Sequence, residues 1–267
     1  MKIRVNDIHL NVLEQGSGPL TLVFLHYFGG SALEWQSVMD QLAEQHRCIA
    51  IDLRGHGDSD GPLDGYSVDE MADDVSCVIE KLAIADFALV GHSMSGKVAL
   101  AVAAGTPNHP RPAGLRQLLL VSPSPPLPEP IPDDERQKLL DGYGKRTAAE
   151  QTLKNITAND VSPAVRAQII ADDLRTVKPA WDAWLLRGSR EDISARMPAV
   201  DLPVHIIVGT EDRALPSDVQ QRMVLPYLKN ATFETVDGAG HLLPWEVPYP
   251  LAQFIAKKVS GALLNRR

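Results

Sequence analysis

The sequence predicts an α/β fold: a mostly parallel sheet with helices on both faces, interrupted once by a block of helices. Three observations carry this. Short apolar β-type runs alternate with helical patterns from the N-terminus to Val121. A proline-rich stretch and a wholly helical block then break the rhythm. The strand signal returns at Val204. At 267 residues the chain has the length for one such unit with an insertion. With 44% apolar and 22% charged residues it has a core large enough to need no metal or disulfide.

The elements follow in order. Val5–Val12 reads as an alternating strand with Ile8, Leu10 and Val12 on one face, ended by Gln15-Gly-Ser-Gly-Pro19. Leu20–His26 is nearly continuous apolar sequence, as a strand buried on both faces requires. Ala32–His46 has helical spacing, with Leu33, Trp35, Val38 and Leu42 inward. Cys48–Ile51 is the next strand. Val68–Leu82 is an amphipathic helix that buries Met71, Val75, Val78, Ile79 and Leu82. Phe87–Val90 is a strand, followed by Gly-His-Ser-Met-Ser-Gly and an alanine-rich helix to about Ala104. Gln117–Val121 is a further strand. Ser122–Pro132 holds too many prolines for sheet or helix. From Asp133 to about Arg196 the pattern is helical, with breaks near Gly142–Gly144, Ser162-Pro163 and Lys178-Pro179. Such a block between two strands of a parallel sheet reads as a lid over the sheet's edge. Strands are expected again at Val204–Val208 and Thr232–Val236, and a last helix from Pro248 to Leu264.

Composition excludes several functions. The net charge of −8, with no basic cluster, argues against nucleic acid and anionic membranes. No apolar run is long enough to span a bilayer and no signal peptide is evident, so the default expectation is a cytoplasmic protein. Cys48 and Cys77 read as buried free thiols, and neither lies in a metal-ligand spacing; no metal or cofactor is expected.

The segment richest in chemistry is Leu89-Val-Gly-His-Ser-Met-Ser-Gly-Lys97. A buried strand ends, a helix begins, and Ser93 occupies the turn between them. A strained turn of this kind needs small residues two before and two after the nucleophile, here Gly91 and Ser95. It exposes the Ser93 hydroxyl at the carboxyl end of the sheet and puts the Met94 N–H at a helix N-terminus, where it can bind a developing oxyanion. The bland alternative is a serine helix cap. A serine nucleophile requires a base. His241, in Asp237-Gly-Ala-Gly-His-Leu-Leu-Pro-Trp-Glu246, sits on a glycine-rich loop after a strand; the alternative is a surface loop histidine. The base requires a carboxylate to fix its tautomer. Asp212 lies just past the strand Val204–Val208, with Glu211 its neighbouring competitor and a turn-forming aspartate the bland reading. The equivalent turn after the preceding strand, Ser122-Pro-Ser-Pro, has no carboxylate.

These segments resemble the α/β-hydrolase superfamily, in particular small bacterial esterases, lactonases and cofactor-free haloperoxidase or perhydrolase relatives. The resemblance rests on Leu25-His-Tyr-Phe-Gly-Gly-Ser31 with Trp35, Asp52-Leu-Arg-Gly-His-Gly-Asp-Ser59, Gly91–Gly96, and the pair Gly209-Thr-Glu-Asp212 and Gly240-His241. It implies an eight-stranded, mostly parallel sheet with a helical lid after the sixth strand. The core is then 1–122 and 201–267, and the cap 123–200. It also implies that Phe28 N–H joins Met94 N–H as an oxyanion donor and that His26 is structural. The Asp52–Ser59 segment becomes a tight turn, and Glu246 and Pro248 become helix-start residues. Tyr27 stands where the family has glycine, which either places a phenol beside the substrate or packs it under the lid.

The expected activity is hydrolysis of a carboxylic ester or lactone of a small, largely apolar molecule by Ser93, His241 and Asp212. Trp181, Trp184, Leu185, Leu186 and Met197 are the apolar lid residues; Tyr27, Trp181, Trp184 and Leu185 are the candidate pocket. Serine rather than aspartate at the nucleophile position argues against haloalkane dehalogenase or epoxide hydrolase chemistry. C–C bond hydrolysis, perhydrolysis or a lyase reaction on the same triad is the alternative, and a non-catalytic receptor the third. The expected partner is the small-molecule substrate alone, the protein being a monomer or homodimer.

Overall fold

The computed structural model describes residues 1–264. Eight strands form one sheet: β1 (Lys2–Val5), β2 (Ile8–Gln15), β3 (Thr21–Leu25), β4 (Arg47–Ile51), β5 (Phe87–His92), β6 (Leu115–Val121), β7 (Val204–Gly209) and β8 (Ala231–Val236). Their spatial order is β1-β2-β4-β3-β5-β6-β7-β8. The first two pairings are antiparallel and the rest parallel. The helices are α1 (Gln36–Leu42), α2 (Val68–Lys81), α3 (Met94–Ala104), α4 (Asp133–Gly142), α5 (Arg146–Ile156), α6 (Pro163–Arg175), α7 (Lys178–Leu186), α8 (Ser217–Met223), α9 (Leu243–Glu246) and α10 (Pro248–Leu264).

The near-continuous apolar strands are explained by burial on both faces. Along β3, Leu22 and Phe24 join one core with α1 and α10 residues such as Met39 and Ile255. Val23 and Leu25 join the other, with α2 and α3 residues such as Val75 and Val98. The start of α2 is fixed by a capping box: Ser67 accepts from the Glu70 N–H while the Glu70 carboxylate accepts from the Ser67 N–H.

Three local expectations are corrected. Val5–Val12 is not one strand but the inner part of a hairpin. Asn6, at φ +50°, and Asp7 make a two-residue turn, and Val5 pairs with Ile8. Ala32–His46 is not one helix but a 3-10 turn, Ala32–Trp35, followed by the short α1. With the Ser31 side chain accepting from Leu33 N–H at the start of that turn, Glu34 is turned fully inward and Leu33 is left half-buried. Cys48 is a buried free thiol, but Cys77 is only half-buried.

The helices α4–α7 leave the sheet after β6 and return at β7. Both ends of this excursion are fastened to the core by Lys97 on α3, which is fully buried. Its ammonium donates to the carbonyls of Leu127 (3.0 Å), before α4, and Glu191 (2.9 Å), after α7. Burial pulls it down to about 8 despite the nearby Glu129, Glu191 and Asp192.

Candidate active site

Strand β5 delivers Ser93 to the carboxyl edge of the sheet, where α3 begins. Its backbone, φ +52° and ψ −117°, is one that L residues rarely adopt. Such a conformation costs on the order of 1–3 kcal/mol and persists only where its surroundings enforce it. Three backbone hydrogen bonds do so: Ser93 N–H to Val121 O, Gly96 N–H to Ser93 O and Ser124 N–H to Ser93 O, all 2.8–2.9 Å. The flanking residues must be small for a measurable reason. A Cβ on Gly91 would lie 2.4 Å from the Ser95 carbonyl, and one on Gly96 would lie 2.4 Å from Pro123 Cβ. Ser95 is accommodated because its hydroxyl donates to the His26 carbonyl, tying this turn to the loop after β3.

His241 Nε2 lies 2.9 Å from Ser93 Oγ, and His241 Nδ1 lies 2.8 Å from Asp212 Oδ2. All three residues are buried or nearly so. The other Asp212 oxygen accepts from the N–H groups of Ala214 and Leu215, each at 2.9 Å. Burial alone would raise the Asp212 carboxyl, but the imidazole and these N–H groups, with the nearby Ser122 hydroxyl, hold it at about 2. Burial alone would lower His241; the charge and hydrogen bond of Asp212 outweigh it, with help from Glu129 and Glu246, and the imidazole is raised above its ordinary value. The exposed Glu211 does not compete for this place.

Behind His241 lies a second buried chain that the sequence did not signal. His92 Nε2 donates to the His241 carbonyl at 2.9 Å, and His92 Nδ1 is 3.1 Å from Glu34 Oε1. Since a carbonyl only accepts, Nε2 carries the proton, and in the neutral ring Nδ1 then accepts one. A protonated Glu34 supplies it. Burial favours this neutral pair, raising Glu34 well above its ordinary range and lowering His92 well below. His26 is likewise neutral: Nδ1 donates to Tyr27 O at 2.7 Å, Nε2 accepts from Leu53 N–H at 3.0 Å, and burial lowers it to about 4. The Asp52 carboxylate accepts from Ala32 N–H, Asp58 N–H and Asn11 Nδ2, which holds the Asp52–Ser59 turn.

Glu246 differs from expectation. It does not start a helix but ends α9, and its carboxylate gathers the N–H groups of Gly240, Leu242, Ala158 and Asn159. Loop geometry explains this: four N–H groups left without carbonyl partners converge on one carboxylate. Pro248 does begin α10.

Ser93 and His241 open into a cavity of about 360 Å³ roofed by the inserted helices. Tyr27, Phe28, Trp181, Trp184 and Leu185 line it, together with Leu153 and Ile169. Tyr27 is buried and belongs to the apolar cluster that contains Leu153 and Ile169 of α5 and α6. Leu186 instead points outward and is half-exposed, and Met197 is buried in the main core. The Met94 side chain is buried too; its N–H is the first of α3 and so has no partner within the helix. Among the described residues the Phe28 N–H makes no backbone hydrogen bond. The cavity also holds Glu129, Asp173 and, at its lip, Arg213. No sequence motif marked Glu129 or Asp173, which reach the site only through the path of the insertion, while Arg213 stands beside Asp212 in the loop after β7. Among the described residues no cluster could hold a metal ion, and no helix is long and apolar enough to cross a membrane.

A 2-(acetamidomethylene)succinate hydrolase of Mesorhizobium japonicum is 38% identical over 107 residues, spanning 40% of this chain and 38% of that protein. The non-heme chloroperoxidase CPO-A1 of Kitasatospora aureofaciens is 29% identical over 82% of this chain and 84% of its own length. Among solved structures, the esterase of Exiguobacterium antarcticum superposes with a TM-score of 0.85 at 20% identity, over 95% of this chain and 96% of that one. Residues 22–256 match the Alpha/beta hydrolase family, so the match takes in the turn at Ser93, the strand before Asp212 and the loop of His241. Sheet order, inserted helices and sequence match therefore agree: the chain belongs to the alpha/beta hydrolase family.

Proposed function

We propose that this protein is a serine hydrolase that cleaves a carboxylic ester or lactone of a small, largely apolar substrate through an acyl-enzyme. The observation that carries the reading is the unbroken relay from Ser93 Oγ to His241 Nε2 (2.9 Å) and from Nδ1 to Asp212 (2.8 Å), opening on an apolar cavity. Residues 1–122 and 201–267, of which 265–267 lie outside the described residues, supply the catalytic core, and 123–200 form the cap over the substrate.

In this mechanism His241 takes the Ser93 proton as Oγ attacks the carbonyl carbon, and Asp212 stabilises the imidazolium. The tetrahedral oxyanion is held by the N–H groups of Phe28 and Met94, each worth about 3–4 kcal/mol of barrier. His241 then protonates the leaving alkoxide. Water, deprotonated by the same imidazole, releases the acid and restores Ser93.

The test is a panel of p-nitrophenyl esters, lactones and β-diketones with wild type and Ser93→Ala. Ester or lactone turnover that falls by about 10⁶-fold in the variant supports the reading. Absence of fluorophosphonate labelling of Ser93 in folded protein overturns it. The chloroperoxidase relative makes perhydrolysis the second reaction to assay, with peroxide added as the competing nucleophile.

A further inference from the structure

We infer that the cavity is built to recognise a cationic substrate, an ammonium or quaternary ammonium group seated between Asp173 and the rings of Phe28 and Trp181. The inference deepens the ester-hydrolase reading and rests on it.

The cavity is apolar except for a few polar groups, and one of them is out of place as structure. Asp173, near the end of α6, lines it, and among the described residues its carboxyl makes no hydrogen bond or ion pair. Its neighbour Asp172, by contrast, is satisfied by Ser31, Gln168 and Arg175. Burial raises the Asp173 carboxyl to about 7, and a bound cation would draw it back to the carboxylate. An uncompensated carboxylate in an apolar cavity costs stability, and the native fold supplies no partner for it. A ligand cation would.

The aromatic surroundings suit that cation. A point one Cβ bond out from Gly29, in the loop after β3, is 3.5 Å from Asp173 Oδ2 and 3.6 Å from Trp181 Cζ3. Carboxylate and indole edge therefore lie no more than 7.1 Å apart (3.5 plus 3.6 Å), both on the wall of the cavity. The Phe28 and Trp181 rings lie 4.6 Å apart, centroid to centroid, and the Trp181 indole is oriented by its N–H bond to Leu139 O. Aromatic faces around a carboxylate attract a desolvated ammonium through the ring quadrupole as well as the formal charge. Tyr27 gives an independent pointer. It is 7% exposed and lines the cavity, yet its hydroxyl has no partner among the described residues. Glu129, which also lines the cavity, is faced by Lys97, Arg136 and His241, so it is not the free anion. Arg213 is exposed at the lip.

The experiment compares three p-nitrophenyl esters of equal length: one ending in trimethylammonium, its neutral tert-butyl isostere, and a carboxylate analogue. Wild type is expected to favour the cationic ester over the isostere by at least about tenfold in kcat/KM and to disfavour the anion. In Asp173→Asn that ratio falls to one or below, whichever way the absolute rates move. A wild-type ratio of one or less, or a ratio that survives in Asp173→Asn, overturns the inference. If none of the esters turns over, only the ester arm of the hydrolase reading fails, and the subsite is still decided by calorimetry of phenyltrimethylammonium with Ser93→Ala. Binding weakened about tenfold by adding Asp173→Asn sustains the subsite, and equal or absent binding removes it.

Discussion

Replacing Asp212 by asparagine has an outcome that the local hydrogen bonds dictate. The two side-chain oxygens of Asp212 are not equivalent. Oδ1 accepts from the N–H groups of Ala214 and Leu215 at 2.9 Å, while Oδ2 accepts from His241 Nδ1 at 2.8 Å. An asparagine keeps its carbonyl oxygen facing the two N–H donors, because an NH₂ placed there would meet two donors. Its NH₂ is therefore turned toward His241 Nδ1. That nitrogen must then accept, the ring proton moves to Nε2, and the atom 2.9 Å from Ser93 Oγ can no longer take a proton. The variant keeps its shape and loses its base. The expected loss is about 10⁴-fold in kcat, ~5.5 kcal/mol of barrier, as for a wrong-tautomer triad elsewhere. The assay is hydrolysis of a short p-nitrophenyl ester beside a thermal melt. A loss below about tenfold with an unchanged melt would refute the assignment of Asp212 as the orienting acid.

Other expectations follow from the same geometry. His241 must be neutral to act, and its conjugate acid is held above the ordinary value of 6.5. Activity should fall as pH drops, with the midpoint of kcat/KM on the alkaline side of 6.5, and a rate flat from pH 5 to 8 would contradict this. Gly91→Ala drives a methyl against the Ser95 carbonyl in a backbone fixed by helix and sheet. It should destabilise by about 3 kcal/mol or more in urea unfolding and abolish fluorophosphonate labelling. The depressed Lys97 means that the unfolded chain binds the extra proton between about pH 8 and 10.5. Wild type should therefore gain roughly 3 kcal/mol relative to Lys97→Met over that interval. Equal pH slopes for the two proteins would show that Lys97 is not the desolvated group.

Much of this was legible in the sequence, for reasons that differ by element. Strands buried on both faces write themselves as continuous apolar runs, so β3, β4, β5 and β6 stood out. The turn at Ser93 was marked by its glycine and serine neighbours, and the core and insertion by proline. The β1–β2 hairpin was missed because Asn6-Asp7 is a weaker turn signal than Asn-Gly; the break shows only as a change of apolar parity, from Ile3 and Val5 to Ile8, Leu10 and Val12. Glu34 was missed because a glutamate on a helical stretch reads as exposed; only the packing of the 3-10 turn brings it to His92. Asp173 and Glu129 were invisible for a different reason. Their importance depends on how the inserted helices fold back over Ser93, which no local pattern encodes.

Glu246 shows what that folding back entails. Its carboxylate holds Gly240 and Leu242, on either side of His241, and at the same time Ala158 and Asn159, between α5 and α6. The His241 N–H itself donates to Ile156 O at 2.8 Å. The histidine loop thus hangs from the roof of the cavity as well as from the sheet beneath it. Entry of a substrate by lifting α5 and α6 would pull on the imidazole, and docking of those helices would set it back against Ser93. Access and proton transfer then share one mechanical linkage, so a graft that exchanges the roof for another must carry the Ile156–Asn159 hook or leave the base unanchored.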